Sequence, residues 1–208
     1  MLSEIMEMLF RLAILAVAFP IHEFAHAWTA TRFGDPTPRQ AGRLTLNPLA
    51  HLDTWGTLLF LFTGFGWAKP VPISPAALRT RRAYFWVAFA GPLSNLLLAL
   101  VAAAAYRLTF PFLASHPLGL WVLRFLAAVV FFDLLLFFFN LIPIPPLDGE
   151  KVIAGLFPRV WARYIAPLQP YAVLVFLLLF FILPRFHVDI LQWLVVWPTY
   201  HLNALLLG

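Results

Sequence analysis

The sequence contains no cysteine and little charge, since only 11% of its 208 residues are Asp, Glu, Lys or Arg. Without cysteine the chain forms no disulfide and offers a metal no thiolate, so histidine and carboxylate side chains must bind any metal. The low charge, beside 62% hydrophobic residues, excludes an ordinary soluble domain and predicts a polytopic membrane protein. Membrane topology and anionic lipid account for the net charge of +5 without a nucleic-acid partner.

Five segments approach the roughly 20 apolar residues that a membrane-crossing helix needs. They are residues 5–30, 83–106, 120–142, 168–183 and 188–207. The shorter run 57–67, rich in glycine and followed by prolines, suits a re-entrant or extended segment better than a crossing. We therefore expect an all-α polytopic membrane protein of about five to six transmembrane helices, with a short re-entrant or β-like segment after the first span.

Lysine and arginine are distributed unevenly between the predicted loops. They are concentrated between the first two spans and again at 151–163, whereas the intervening loop carries only Arg107 and Arg124. By the positive-inside rule the two basic regions are cytoplasmic. This predicts an N-terminus outside the cell and a C-terminus inside it.

A charged motif, His22-Glu23-Phe24-Ala25-His26, lies inside the first apolar segment. On a helix two histidines four residues apart share a face, so both imidazoles can bind one ion, and Glu23 can act as a base beside it. Ionisable groups within a span usually mark a functional site. The alternative is that the three groups are only paired with one another inside a helix bundle.

A catalytic zinc usually takes three protein ligands, so a third must come from elsewhere. Asp148 is the best candidate, because it follows a proline-rich turn at the cytoplasmic end of the third span, level with His26. We expect it on extended backbone beside Gly149. An ordinary interfacial turn at Pro-Leu-Asp-Gly is the competing interpretation.

Three motifs together resemble the site-2 proteases, a family of intramembrane zinc metalloproteases. They are the histidine motif, the segment from Asn140 to Gly149 with its Leu-Asp-Gly end, and Gly91-Pro92-Leu93-Ser94-Asn95. The resemblance implies one Zn²⁺ per chain, bound by His22, His26 and Asp148. It also implies that Glu23 is the catalytic general base.

The same resemblance implies that Asn95 and Asn140 bind substrate or stabilise the oxyanion. Asparagines in membrane helices also serve to bridge helices, and this alternative stays open for both. Asp133 lies on nearly the same helical face as Asn140, either as a buried structural partner or as a group that supports the site. For the extended substrate, residues 43–46 or 67–73 are expected either to pair with it or to cap the site.

The implied activity is hydrolysis of a peptide bond within or near the transmembrane segment of a membrane protein, as in regulated intramembrane proteolysis. We expect a single membrane-embedded metalloprotease domain over residues 1–208, with a catalytic core at about 5–155 and two C-terminal spans at about 168–207. The chain resembles a compact form of the family, with room for neither a PDZ nor a nucleotide-sensing domain.

The expected location is the plasma membrane, with the active site toward the cytoplasm. The expected partners are a single-pass transmembrane substrate, the lipid bilayer and either a gating protein or an upstream protease. A membrane metal-ion transporter with an intramembrane His/Asp site is the alternative. Glu23 beside the histidines argues against it, as does the lack of paired, broken helices.

Overall fold

The computed structural model describes residues 2–63 and 66–208, so residues 64 and 65 of the predicted re-entrant run lie outside the described residues. Eight helical elements organise the described chain. They are α1 (Leu2–Arg32), α2 (Thr37–Gln40), α3 (Thr54–Thr63), α4 (Arg81–Leu113), α5 (Pro117–Asn140), α6 (Asp148–Leu156), α7 (Pro158–Phe186) and α8 (Trp197–Leu207).

The expectation of an all-α polytopic membrane protein is confirmed. Four helices are long and apolar enough to cross a membrane, at Phe10–Arg32, Arg82–Leu113, Pro117–Asn140 and Pro158–Phe186. The fifth predicted span is also helical, over residues 190–207 and including α8, but it is not among these four. The 57–67 run contributes only the end of the ten-residue α3, which is too short to cross a bilayer.

The β-like feature after the first span is a single antiparallel bridge between Leu52 and Ala68. Beside it, the Lys69 N–H donates to the His51 carbonyl at 2.7 Å. The buried Arg43 guanidinium donates to the carbonyls of Ala50 and Lys69. These bonds fix the proline-rich segment after α3 against the loop that follows α2. The described part of the chain contains no β-strand beyond this single bridge.

Helix α4 is central, because it packs against α1, α5, α6 and α8. Its fully or nearly fully buried Ala99, Ala102 and Ala103 form one core cluster with Val130 and Leu134 of α5. Small residues at a membrane-helix interface let the two backbones approach closely. Residues of α8 pack against the same cluster, so the end of the chain belongs to the bundle.

The start of α1 and the end of α8 lie at the same end of the bundle, where a short turn joins α4 to α5. The Phe10 ring contacts the Trp121 ring, near the start of α5, at 6.4 Å between centroids. Arg107, near the end of α4, donates to the carbonyls of Leu205 and Leu206 at 2.7 and 2.6 Å. The prediction that the two chain ends face opposite sides of the membrane is therefore wrong.

Helix α7 explains this difference, because contacts from both of its halves lie at the opposite end of the bundle. Trp161 and Gln169 each donate to Glu150 of α6 at 2.7 Å. Further on, Phe180 packs against Phe139 near the end of α5. The chain then enters α8 from this same end, since Val195 shares a core cluster with Phe180. Hydropathy could not show from which end of the bundle this apolar segment makes its contacts.

Candidate active site

Helix α1 places the two motif histidines on the face that meets α4 and α6. Both side chains are buried, and their Nε2 atoms lie 3.0 Å apart. The predicted third ligand joins them: Asp148 Oδ2 is 3.1 Å from His22 Nε2 and 3.0 Å from His26 Nε2. The structure thus brings together three residues separated by up to 126 positions in the sequence.

Asp148 is not on extended backbone as the sequence suggested, because it is the first residue of α6. Only Leu147 before it is extended, with φ −73° and ψ 161°. Gly149 makes this arrangement possible, since a Cβ there would lie 2.3 Å from the Leu141 carbonyl oxygen and 2.4 Å from that of Ile142. The proline-rich turn therefore folds directly onto the first turn of α6.

The hydrogen bonds on the far side of each imidazole determine which nitrogen carries the proton. His26 Nδ1 lies 2.6 Å from the Val87 carbonyl, which can only accept, so the proton is on Nδ1. His22 Nδ1 lies 2.6 Å from Asn95 Oδ1, and the amide of Asn95 is oriented by its own bond to a carboxylate. Both Nε2 atoms of the neutral rings are then lone-pair acceptors.

In the neutral form that binds a metal, the two rings therefore bring three acceptor atoms within about 3 Å of one another. Like partial charges at this distance repel unless a cation lies among them. Two neutral imidazoles and one carboxylate are also a donor set that zinc prefers. The chemistry of the three side chains therefore fits a zinc ion.

Gly91 supplies independent support for this fit. A Cβ at this position would lie 2.2 Å from His26 Nε2 and 2.6 Å from His22 Nε2. The absence of a side chain on α4 thus leaves open the space on which both imidazoles converge. The sequence drew attention to the Gly-Pro motif only through the family resemblance, and the structure gives its glycine a physical role.

Lys151, one turn after Asp148 in α6, was not among the predicted site residues. Its Nζ lies 3.2 Å from Asp148 Oδ1, the oxygen that does not face the histidines. The i,i+3 spacing would have revealed Lys151 once α6 was known to begin at Asp148.

Glu23 lies between the two histidines in sequence and lines the same cavity, which has a volume of about 690 Å³. Its Oε2 accepts a hydrogen bond from the Val71 N–H at 3.0 Å. The side chain is buried, with 9% of its surface exposed. A backbone donor from the segment after α3 therefore fixes one carboxylate oxygen of the predicted base.

The two predicted substrate-binding asparagines lie in different surroundings. Asn140 lines the cavity beside the histidines, and its Nδ2 donates to the Leu136 carbonyl of its own helix at 3.0 Å. Asn95 is fully buried, and its Oδ1 and Nδ2 contact His22 and Asp133, respectively. The substrate-binding role stays a prediction for both, although only Asn140 reaches the cavity.

Comparison of the sequence with models of known protein families identifies the family of this chain. The model of Peptidase family M50 matches residues 10–119. The chain belongs to peptidase family M50. Its membership confirms the resemblance to the site-2 proteases, and with it a membrane zinc metalloprotease rather than a metal-ion transporter.

Relatives carry names that agree with this family. Over 197 residues the chain is 42% identical to "Putative zinc metalloprotease YwhC" of Bacillus subtilis (strain 168), covering 91% of this chain and 84% of that protein. It is 35% identical over 175 residues to "Putative zinc metalloprotease Rip2" of Mycobacterium tuberculosis (strain ATCC 25618 / H37Rv), covering 81% of this chain and 64% of that protein. No solved structure matches the chain.

Proposed function

We propose that this M50 metalloprotease is an endopeptidase that cuts a membrane protein within or near its transmembrane segment. One observation carries the proposal: the three convergent acceptor atoms and Glu23 line a predominantly apolar cavity inside a bundle of membrane-type helices. His22, Glu23 and His26 lie within the apolar segment Phe10–Arg32. A scissile bond that reaches this cavity is therefore presented from the membrane.

In this proposal His22, His26 and Asp148 hold the zinc ion. When bound there, zinc polarises the scissile carbonyl and lowers the pKa of a water molecule to about 7, so that hydrolysis proceeds near neutral pH. Lys151 binds the second oxygen of Asp148 and so directs Oδ2 toward the histidines. Each ligand side chain is thus oriented by a contact with the protein as well as by the metal.

Glu23 takes up the proton of the attacking water and returns it to the leaving amine. The Val71 N–H holds Oε2, and the carboxylate keeps its second oxygen for this proton transfer. Asn140 lines the cavity with a side-chain amide, whose position supports a role in binding substrate backbone or the oxyanion.

The extended segment after α3 is suited to capping the cavity over residues 69–72. Lys69 N–H and Val71 N–H are already bonded to the His51 carbonyl and to Glu23. Pro70 and Pro72 have no N–H to donate. Between residues 69 and 72 no backbone donor is then left for a regular ladder with a substrate strand, although residues on either side remain candidates for pairing.

The proposed substrate is a single-pass membrane protein that unwinds locally to reach the site, as in regulated intramembrane proteolysis. An upstream protease or a separate gating protein is the proposed control on its entry. We place the enzyme in the plasma membrane with Glu23 and Asp148 toward the cytoplasm, because the loop from residue 32 to 82 at this end is rich in arginine.

Cleavage of single-pass substrates by the enzyme in liposomes tests the proposal directly. Mass spectrometry of the products is expected to place the cut within or near the transmembrane segment. Glu23→Gln is expected to slow cleavage about 10²–10⁴-fold. A matched water-soluble peptide with the same flanking sequence is the control. If the enzyme cuts only the soluble peptide, it is a metalloprotease of another substrate class.

The absence of native cysteine makes the proposed orientation testable by single-cysteine labelling. Leu118 in the first turn of α5 and Leu49 in the loop after α2 are both exposed, at 77% and 80%. A membrane-impermeant maleimide is expected to label Leu118→Cys and Gly208→Cys in intact cells, and Leu49→Cys only after permeabilisation. If Gly208→Cys, like Leu49→Cys, is labelled only after permeabilisation, the result would contradict the placement of both chain ends on the same side of the membrane.

A further inference from the structure

A chain of buried polar groups leads away from the proposed zinc site through α4 to α5. His22 Nδ1 bonds to Asn95 Oδ1 at 2.6 Å, and Asn95 Nδ2 donates to Asp133 Oδ1 at 2.7 Å. Asn95 and Asp133 are both 0% exposed. Their side chains therefore face neither the cavity nor lipid, and neither can touch a substrate.

Burying a carboxylate inside a membrane bundle is energetically unfavourable unless it is well paired. Asp133 receives one hydrogen bond from Asn95, while its Oδ2 has no hydrogen-bond partner among the described residues. Packing alone would favour an apolar side chain here, since Asp133 is surrounded in sequence by Phe and Leu. The carboxylate thus calls for an explanation beyond stability.

The explanation lies in the two ends of the Asn95 amide. An amide can present either its oxygen or its NH₂ group to His22, and the two orientations have opposite effects. Asp133 Oδ1 accepts from the NH₂ group of Asn95 at 2.7 Å and thereby turns the amide oxygen toward His22. The oxygen then requires a proton on His22 Nδ1, which leaves Nε2 as a lone pair directed toward His26 and Asp148.

We infer that Asn95 and Asp133 are positioning residues that act through His22 to select its metal-binding tautomer. The inference rests on the proposed ligand set and gives Asn95 a role other than the predicted contact with substrate. His26 has a simpler arrangement, because the Val87 carbonyl fixes its Nδ1 proton directly. His22 needs two side chains for the same purpose. Its neighbour on α4 is the Asn95 side-chain amide, which can present either end, rather than a backbone carbonyl, which only accepts.

Zinc affinity of the purified full-length protein, measured by competition with a chelator, tests this inference apart from activity. Asn95→Leu is expected to lower zinc affinity by about 10–100-fold, the usual effect of removing a group that supports a ligand. Asn95→Asp combined with Asp133→Asn keeps an acceptor for His22 and a donor–acceptor bond between the two positions, so this double variant is expected to remain close to wild type. The absorption spectrum of the Co²⁺-substituted protein should change in Asn95→Leu and not in the double variant.

Asp133 is tested through its dependence on Asn95. Asp133→Leu frees the amide to rotate and is expected to weaken zinc binding, whereas Asp133→Asn keeps an acceptor oxygen but adds a donor, so it is expected to weaken zinc binding less. In the Asn95→Leu background, Asp133→Leu is expected to cause no further loss. Additive losses would show that Asp133 acts independently and would overturn the relay.

Two controls separate the possible failures. Thr199→Val removes a different fully buried polar group, a hydroxyl that contacts none of the proposed ligands. It should leave zinc affinity unchanged. His22→Ala measured in the same assay should lose zinc, and retention there would refute the proposed ligand set itself. If His22→Ala loses zinc while folded Asn95→Leu binds it as wild type does, only the positioning role is wrong. If Asn95→Leu does not fold, the comparison of Asp133→Leu with Asp133→Asn decides.

Discussion

The catalytic cavity has two walls of different construction. One wall consists of α1, α4 and α6, where each proposed ligand makes a second contact with the protein, through Asn95, Val87 or Lys151. The other wall is α7, which contributes only apolar side chains to the cavity: Val173, Phe176, Leu177 and Phe181. The proposed metal ligands and the proposed base Glu23 are thus confined to the first wall.

The two walls also differ in regularity. Helices α1 and α4 of the first wall are continuous over 31 and 33 residues, whereas α7 is broken by π and 3₁₀ turns and contains Pro167 and Pro170. Irregular helical turns make poorer hydrogen bonds and often mark sites of movement. The comparison suggests a hypothesis: the first wall fixes the metal ligands, and α7 yields to admit substrate.

The largest effect is expected from a change in the fixed wall at Gly91. An alanine Cβ would lie 2.2 Å from His26 Nε2, far inside contact distance, so at least one imidazole must leave its position. Gly91→Ala is expected to lower zinc affinity by about 100-fold or more and to abolish cleavage. Chelator competition and the substrate assay measure the two effects.

The same variant contains its own control for folding. At other positions inside a helix, replacing glycine by alanine raises the free energy of unfolding by about 0.5–1 kcal/mol. The zinc-free Gly91→Ala protein should therefore melt at a temperature close to that of zinc-free wild type. Wild-type zinc affinity in this variant would show that the ligands do not converge beneath Gly91.

A smaller effect on function is expected from removing the contacts that hold α7 to α6. Trp161→Phe combined with Gln169→Leu removes both donors to the buried Glu150 carboxylate. Hydrogen bonds to charged groups contribute about 1.5–3 kcal/mol each, so amide hydrogen exchange in α7 should accelerate by at least about tenfold. Zinc affinity should stay at the wild-type value, because no ligand contact changes.

Trp193→Phe is the matched control for this pair, since Trp193 is 72% exposed and should leave exchange in α7 unaltered. Accelerated exchange in α7 together with an altered rate of substrate cleavage would support α7 as the movable wall. A loss of zinc from the double variant would instead mean that the two walls are not separable.

The smallest effect is expected at Asp35, which ties the capping segment to the end of α1. Burial would raise its pKa, but hydrogen bonds from Thr37 and from the Ser74 N–H outweigh burial and lower that pKa. A lowered pKa in the folded state gives stability that is present above the unfolded pKa of 3.8 and is lost as the pH falls through the folded value.

Wild-type enzyme should therefore lose this contribution only in strong acid. Asp35→Asn should melt at a slightly lower temperature than wild type at pH 7, and the difference should shrink as the pH falls below about 4. Thermal melts of the two proteins across this pH range make the comparison. An equal difference at every pH would show that the charge of Asp35 contributes nothing.

The sequence revealed the parts of the site that are local or that end a helix. The i,i+4 histidines lie on one face of α1 because the helix repeat requires it, and the Leu-Asp-Gly turn follows from its prolines. The contact of Asn95 with His22 spans 73 positions and depends on how α4 packs, so spacing could not reveal it. The bond from the Val87 carbonyl leaves no mark in the side-chain sequence.

The placement of α7 and α8 was equally inaccessible. Apolar composition predicts that a segment can enter the membrane, but the bonds from Trp161 and Gln169 to Glu150 decide which end of the bundle it occupies. Glu150 itself lies two residues beyond the proposed ligand Asp148, and the sequence alone gave no sign of its buried contacts. Basic-residue counts predict which end of the bundle is cytoplasmic, whereas the assumption of five crossings misplaced the end of the chain.

The central claim is that His22, His26 and Asp148 hold the zinc ion while Glu23 performs proton transfer. Zinc content and cleavage, measured side by side on wild type, His22→Ala, His26→Ala, Asp148→Ala and Glu23→Gln, test it most directly. We predict about one zinc per wild-type chain, loss of zinc in the three ligand variants, and retention in Glu23→Gln with cleavage reduced about 10²–10⁴-fold. Zinc retained in a ligand variant, or wild-type cleavage by Glu23→Gln, would contradict the account.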